Sequence, residues 1–223
     1  MLLADLAELW AKLAKLIPQM CEGTWVSIQI FALTLIFSLP LGLLLAKGRM
    51  SRHKWIRRPV SAYLLVMRGT PLILQLIFFY FAPYYLFKLS YDRFAAAILT
   101  FTLNYAAYFA EIYRGGIESI PQGQYEAAHV LGFSKGQTFF QIILPQVVKR
   151  ILPTMGNEFM TLVKDTALAM TLGVSELFRI AQTASAREFS TMPIFVAGVF
   201  YFVLNWLVSR FFTYMERRLD YYR

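Results

Sequence analysis

The residues best suited to bind a polar solute lie in a mainly apolar stretch toward the carboxyl end of the chain. Glu158, Thr161 and Asp165 are spaced by three and four residues, which places them on one helical face. Asn157 and Lys164 flank that face. No basic residue lies one helical turn from Glu158, so its carboxylate is predicted to meet a neighbouring helix, water or a cationic ligand. A guanidinium or ammonium group is the ligand chemistry that a carboxylate favours.

A second polar stripe runs through the apolar residues 94–113. Its members recur at intervals of four, four and three residues, and they are Thr100, Asn104, Tyr108 and Glu111. Polar side chains within membrane helices either line a solute path or join helices by hydrogen bonds, and both interpretations remain open for Asn104. Glu111 and Arg114 are predicted to form a structural ion pair near the end of this stretch. The candidate substrate-binding residues are Glu158, Asn104, Thr161 and Asn157.

Composition indicates a membrane protein. Apolar residues make up 58 % of the 223 residues and charged residues 16 %, against roughly 45–50 % and about 25 % in average soluble domains. The formal charge of +9 fits cytoplasmic loops better than a nucleic-acid surface, because the basic residues lie between long apolar runs. Cys21 is the only cysteine, and His53 and His129 lack a second ligand at metal-binding spacing, so no metal site is predicted.

Long apolar runs predict an all-α polytopic fold with five transmembrane helices, at about residues 23–46, 60–87, 94–113, 151–175 and 189–212. The first run would extend about 36 Å as a helix, which is enough for a hydrocarbon core of roughly 30 Å. Glu158, Lys164 and Asp165 interrupt the fourth run, for which a re-entrant or interfacial segment is the alternative.

Residues 1–22 are predicted to form a separate segment ahead of the membrane domain, residues 23–223. The apolar residues of this segment recur on one helical stripe, and they are Leu2, Leu6, Leu9, Leu13, Leu16 and Met20. Charged and polar residues fill the other faces, so the segment lacks the unbroken apolar run of a secretory signal. The pattern is typical of an amphipathic helix, which either lies in the membrane interface or packs on protein.

The basic residues predict the orientation in the membrane. Most of the 22 Lys and Arg residues fall in three segments, residues 47–68, residues 111–150 and the tail beyond residue 209. Cytoplasmic loops carry the excess of positive charge, so the amino terminus is predicted outside and the carboxyl terminus in the cytoplasm. An odd number of spans agrees with that orientation.

The longest cytoplasmic loop, residues 121–145, is predicted to contain two helices joined at a glycine. Residues 124–131 favour helix, and Gly132 can adopt the left-handed conformation that ends one. Ser134 and Gln137 have the spacing of a capping box at the start of a second helix, and Pro145 is predicted to end or redirect that second helix. Small residues in the first helix would let another surface approach the backbone closely.

This loop resembles the EAA signature of the permeases of ATP-binding-cassette (ABC) importers. The matching residues are Glu126, Ala127, Ala128, Gly132, Ile142, Leu144 and Pro145. The resemblance implies that the loop docks on an ATPase subunit, with Glu126, Ala127, Ala128 and Gly132 as the coupling residues. A helical hairpin that only caps the bundle is the alternative.

Three further blocks are similar to the polar amino acid uptake permeases, the histidine, arginine and glutamine type. They are Arg68–Leu72 followed by Gln75, Ala107–Gly115, and Lys164–Leu168, where Ala167 stands in place of a common serine. The resemblance implies a prokaryotic plasma membrane complex of two permeases, identical or homologous, two ATPases and an extracytoplasmic substrate-binding protein.

The chain itself is not expected to be an enzyme. It contains no phosphate-loop motif, so ATP and Mg²⁺ are expected on the partner ATPase and no cofactor on this chain. The favoured substrates are the cationic amino acids arginine, lysine and histidine, and the alternative is a neutral or acidic amino acid such as glutamine. A membrane enzyme would need a catalytic constellation that the sequence does not display. A channel would need neither Gly132 nor the spacing of the loop.

Overall fold

The computed structural model describes the backbone of residues 2–219 and the side chains of residues 10–219. The described chain is helical apart from short connections and contains no strand. Its helices are α1 (Leu2–Arg49), α2 (Lys54–Gly69), α3 (Leu72–Phe87), α4 (Arg93–Glu118), α5 (Gln122–Val130), α6 (Lys135–Gln137), α7 (Leu144–Asp165), α8 (Leu177–Glu188) and α9 (Met192–Arg218). A π-helical segment (Thr138–Ile143) precedes α7, and a 3-10 segment (Thr166–Leu172) comes after it.

The amino-terminal segment and the first predicted span lie on one continuous helix, while the boundary between residues 22 and 23 stays a prediction. Helix α1 has 48 residues and is therefore about 72 Å long. At Gly23, an added Cβ would lie 2.8 Å from the Leu177 Cα, so only glycine permits this approach to α8. Leu16 and Met20 are buried in one cluster with Leu177. This part of the stripe thus packs on protein, whereas the side chains of Leu2, Leu6 and Leu9 lie outside the described residues.

The second predicted span, residues 60–87, consists of two helices. Helices α2 and α3 meet the length and hydropathy requirements of a span only together, and the chain turns by 113° between them. The reason lies at Pro71, which lacks an N–H group and disfavours the α conformation of the residue before it. Thr70 is accordingly extended, with φ −119° and ψ 148°.

Within the described residues, three helices are long and apolar enough to cross a membrane individually, Trp10–Arg49, Arg93–Glu118 and Met192–Arg218. The total of five spans remains a prediction. The fourth predicted span, residues 151–175, begins seven residues earlier than predicted, with α7. Its last turns are 3-10 rather than α, and they end at Gly173, whose φ of 85° is left-handed.

Packing divides the chain into two compact units. Unit 1 comprises the chain up to Thr34, Leu72–Thr100 and Thr161–Leu207. Its apolar core is the cluster of Leu16, Met20, Leu177, Ala181, Ala184 and Ala197. Unit 2 comprises Leu35–Pro71, Phe101–Met160 and the chain from Val208 onward. Helices α1, α4, α7 and α9 each contribute residues to both units.

Unit 2 is built around small residues of α4. Ala106, Ala107 and Ala110 are fully buried, and small residues at such positions let membrane helices approach closely. At Gly42 of α1, an added Cβ would lie 2.9 Å from the Phe109 Cβ. At Gly156 of α7, it would lie 2.9 Å from the ring of Phe212. These contacts fix the parts of α1, α7 and α9 that position the site in unit 2.

Candidate functional site

The loop of residues 121–145 has the predicted helix–glycine–helix form. Helix α5 ends at Val130, and Gly132 comes two residues later with φ 79°. The Phe133 N–H donates to the Ala128 carbonyl at 3.0 Å, which closes the end of α5. The capping box is also present, because the Ser134 hydroxyl accepts from the Gln137 backbone N–H at 3.3 Å and the Gln137 side-chain Oε1 accepts from the Ser134 N–H at 2.9 Å.

The second helix of the loop continues into the membrane domain rather than stopping at Pro145. After α6, the π-helical turn carries the chain into α7, and the Leu144 N–H donates to the Phe139 carbonyl. Pro145 lies in the first turn of α7, directly after the π-helical turn. The proline therefore coincides with a change of helical type and does not end the helix.

The exposed surface of the loop differs from the sequence expectation in one respect. Glu126 and Ala127 are exposed, but Ala128 is 1 % exposed and packs inside the loop. Its small size thus serves the loop's own packing. The exposed large apolar residues of the loop are instead Val130 and Leu131, directly before Gly132, and Phe140 in the π-helical segment, with 85 %, 73 % and 67 % exposure. Exposed apolar residues outside the membrane often mark protein contacts, and neither the helical periodicity nor the motif pointed to these three.

A cavity of about 550 Å³ lies in unit 2 between α4 and α7. Its polar lining comes from both helices and from the end of α2, and it comprises Arg68, Tyr108, Glu111, Ser119, Arg150, Thr154 and Glu158. Gly116 lets the two helices approach, because a Cβ there would collide with the Ile151 side chain. The cavity therefore presents two carboxylates and two guanidinium groups to any solute.

Glu111 is the centre of an ion-pair network at one side of this cavity. Its carboxylate lies 2.7 Å from the Arg114 guanidinium, so the predicted pair is confirmed, and 3.6 Å from both Arg49 and Arg68. Arg68 also stacks over the Tyr108 ring at 5.6 Å. Since these arginines belong to α1, α2 and α4, one carboxylate ties three helices of unit 2 together.

The four predicted substrate-binding residues lie in different surroundings. Glu158 is half-buried, lines the cavity, and has an interaction partner within the chain. Asn104 is buried and its side-chain amide donates to the Met67 carbonyl at 3.0 Å, which joins α4 to α2. Asn157 is exposed in unit 2, and Thr161 is exposed in unit 1. The described residues contain no group of three or more potential metal ligands.

Comparisons with known proteins agree with the motifs. Residues 38–221 match the family model of the binding-protein-dependent transport system inner membrane component. The chain is 39 % identical over 208 residues to the L-cystine transport system permease protein TcyB of Bacillus subtilis, covering 92 % of this chain and 88 % of that protein. It is 37 % identical over 213 residues to the glutamine transport system permease protein GlnP of Escherichia coli, covering 94 % and 97 %.

A solved structure shares the fold. The crystal structure of an amino acid ABC transporter with histidines superposes with a TM-score of 0.85 at 32 % identity, covering 92 % of this chain and 96 % of that chain. The MetNI methionine ABC transporter, in an inward-facing conformation, has a TM-score of 0.73 at 20 % identity and covers 91 % and 96 %, which shows the fold alone. The chain thus belongs to the inner membrane components of binding-protein-dependent transport systems, as a transport permease rather than an enzyme.

Proposed function

We propose that this permease imports amino acids as the membrane subunit of an ABC importer, and that its substrates are cationic. Relatives for cystine and glutamine and a structurally similar amino acid transporter support the amino acid class. The observation that carries the cationic assignment is Glu158, a half-buried carboxylate that lines the 550 Å³ cavity. A carboxylate and a guanidinium group match in geometry and charge.

A neutral amino acid such as glutamine is the second candidate. The cavity contains Arg68 and Arg150 as well as the carboxylates, so it offers groups of both signs to a zwitterion. The glutamine permease relatives favour this candidate. In that case Glu158 would bind the α-ammonium group, which all amino acids share, and would not discriminate between side chains.

The proposed substrate site assigns a distinct role to each residue. Glu158 accepts hydrogen bonds from the cation, and Asn157, which is exposed on α7 in the same unit, supplies a neutral polar contact. Asn104 acts indirectly, without contacting the substrate, because its side-chain amide donates a hydrogen bond to the Met67 carbonyl. Its hydrogen bond holds α2 against the part of α4 that leads to the cavity.

We further propose that the loop of residues 121–145 docks on the ATPase partner, which binds ATP and Mg²⁺. The exposed Val130, Leu131 and Phe140 provide the apolar contact, while Glu126, Ala127 and Gly132 lie beside it. Ala128 supports the loop from within. The assembly contains two permeases, two ATPases and one substrate-binding protein, with this chain's carboxyl terminus in the cytoplasm.

Uptake into proteoliposomes that contain the reconstituted importer and its binding protein tests the substrate proposal. Glu158→Gln nearly preserves shape, so it isolates the charge. Loss of a charge-assisted contact of about 1.5–3 kcal/mol should reduce arginine affinity about ten- to a hundredfold. Glu22→Gln, an exposed carboxylate on α1, is the matched control. An equal loss for arginine and glutamine would assign the α-ammonium role to Glu158, and unchanged arginine uptake would remove Glu158 from the site.

A further inference from the structure

A second cavity, of about 270 Å³, lies within unit 1. Its walls are the aromatic side chains of Tyr80 and Phe81 on α3, the end of the 3-10 segment at residues 171–173, and two arginines, Arg93 and Arg179. The volume is slightly below the roughly 300–1,000 Å³ of pockets that hold drug-sized ligands. The cavity therefore suits a small group that the arginines bind through polar contacts and the aromatic side chains contact through apolar surface.

The absence of a side chain at Gly173 leaves room for the Arg93 guanidinium group. The backbone at Gly173 is left-handed, with φ 85°, and a Cβ added there would lie only 2.6 Å from Arg93 Nη1. Arg93 begins α4, and the preceding Asp92 caps that helix. A side chain at residue 173 would thus be strained and would also displace the guanidinium from the cavity wall.

Arg179 is held by a backbone carbonyl of the 3-10 segment. Its Nη1 donates to the Met170 carbonyl at 3.2 Å, near the end of the 3-10 segment. A guanidinium group has five N–H donors arranged as a fork. One bond to a carbonyl fixes the group and leaves donors that can reach a ligand in the cavity.

The nearby carboxylates do not neutralise these arginines by contact. Asp92 accepts two backbone N–H groups of α4, at 2.8 and 3.1 Å. Glu176 is fully buried and accepts two backbone N–H groups of α8 at 2.7 Å and the Tyr201 hydroxyl at 3.0 Å. Glu176 attracts Arg179 electrostatically. Within the described part of the chain, however, neither Arg93 nor Arg179 forms a salt bridge.

We infer that Arg93 and Arg179 form a carboxylate-binding site in unit 1, separate from the Glu158 cavity of unit 2. Two guanidinium groups in one cavity favour an anion, and carboxylate is the anion whose geometry matches the guanidinium fork. The carboxylate comes either from the transported amino acid or from an acidic side chain of the substrate-binding protein. The inference rests on the proposed import function and orientation, which place both arginines on the extracytoplasmic side, where both sources are present.

Two measurements on the importer complex in lipid nanodiscs test the site and separate the two sources. The first is binding of radiolabelled arginine and glutamine to the complex without its binding protein. The second is the affinity of the ligand-loaded binding protein for the complex. Each uses Arg93→Gln and Arg179→Gln, with Arg187→Gln as the matched control. Arg187 lies two turns further along α8, outside the cavity, and pairs with Glu188 at 3.5 Å.

A carboxylate contact predicts a loss of about ten- to a hundredfold for both cavity variants and none for Arg187→Gln. In the first measurement, loss of the binding that persists in Glu158→Gln assigns the carboxylate to the amino acid. If only the affinity of the binding protein falls, and falls further as the salt concentration is lowered, the carboxylate belongs to the binding protein. Unchanged values in both, with basal ATP hydrolysis retained, would overturn the site. A wild-type complex that neither binds nor transports any amino acid would instead contradict the proposed function.

Discussion

The Glu111 carboxylate lies 2.7 Å from the Arg114 guanidinium one turn along α4, and the same carboxylate lies 3.6 Å from both Arg49 and Arg68. Arg114 also pairs with Glu118 on its other side. The two carboxylates differ in burial, because the Glu111 side chain is 17 % exposed and that of Glu118 is 54 % exposed. Glu111 joins helices that are distant in sequence, whereas the ion pair of Glu118 with Arg114 lies within α4.

Glu111→Gln is expected to destabilise the permease, because three guanidinium groups lose their common counter-charge. Loss of the charge-assisted bonds should cost about 1.5–3 kcal/mol, or on the order of 3–12 °C in Tm for a chain of this length. Glu118→Gln is the control and should change Tm little, since exposed pairs contribute roughly 0–1 kcal/mol. Thermal aggregation of the detergent-solubilised complex measures both. Equal Tm shifts for the two variants would contradict the central role of Glu111.

Gly132→Asp is expected to abolish ligand-stimulated ATP hydrolysis while the permease remains in the membrane. Gly132→Asn separates two causes, because asparagine tolerates the left-handed backbone at least as well as aspartate and carries no charge. If the corner docks closely on the ATPase, asparagine should retain more stimulation than aspartate, and Gly132→Val, which opposes φ 79°, should retain least. Near-normal stimulated hydrolysis in all three variants would exclude this loop from coupling.

The apolar corner should be required for subunit association. Leu131→Ala and Phe140→Ala remove apolar area that is 73 % and 67 % exposed in the chain alone, and burying it at about 25 cal/mol per Å² would contribute to docking. We expect each variant to reduce co-purification of the ATPase severalfold. Trp55→Ala is the control, because Trp55 is 92 % exposed on α2, outside the loop. A similar reduction for Trp55→Ala would indicate a general defect.

The local features of the loop were predictable because the determining residues are neighbours in sequence. The left-handed Gly132 and the Ser134–Gln137 capping box both depend on side chains within four positions of each other. The turn at Thr70 likewise depends on Pro71, although the apolar run through it was predicted as one span. A run of uncharged residues indicates a membrane span but does not show where the helix within it is interrupted.

Tertiary pairing was not predictable in the same way. Helical periodicity placed Asn104 on a polar face, but the Met67 carbonyl that it binds is 37 residues away. The same holds for Ala128, since only the fold determines whether a small residue faces a partner protein or its own loop. The sequence could place Arg49 and Arg68 on the basic side of the membrane, but it could not show that both form ion pairs with Glu111.

Orientation is tested by labelling single cysteines in a Cys21→Ser background, since Cys21 is exposed and would otherwise react. An impermeant thiol reagent applied to intact cells should label Ser90→Cys and leave Arg52→Cys unlabelled. Permeabilisation should then expose Arg52→Cys, which shows that its thiol is reactive. The reverse pattern would overturn the proposed orientation, and with it the extracytoplasmic position of Arg93 and Arg179.

Adjacent glycines on α4 provide the sharpest test of packing in unit 2. A Cβ at Gly115 meets open space, whereas one at Gly116 would collide with Ile151 of α7. Gly115→Ala should therefore be neutral or stabilising by up to about 1 kcal/mol, because alanine is the better helix former. Gly116→Ala should lower Tm and transport together, because α4 and α7 both line the cavity that contains Glu158.

Truncating the opposing side chain removes the obstacle, so Gly116→Ala with Ile151→Ala should be less damaging than the sum of the single changes. Additive effects in this double-mutant cycle, measured by Tm and arginine uptake, would mean that the two helices do not meet at this point.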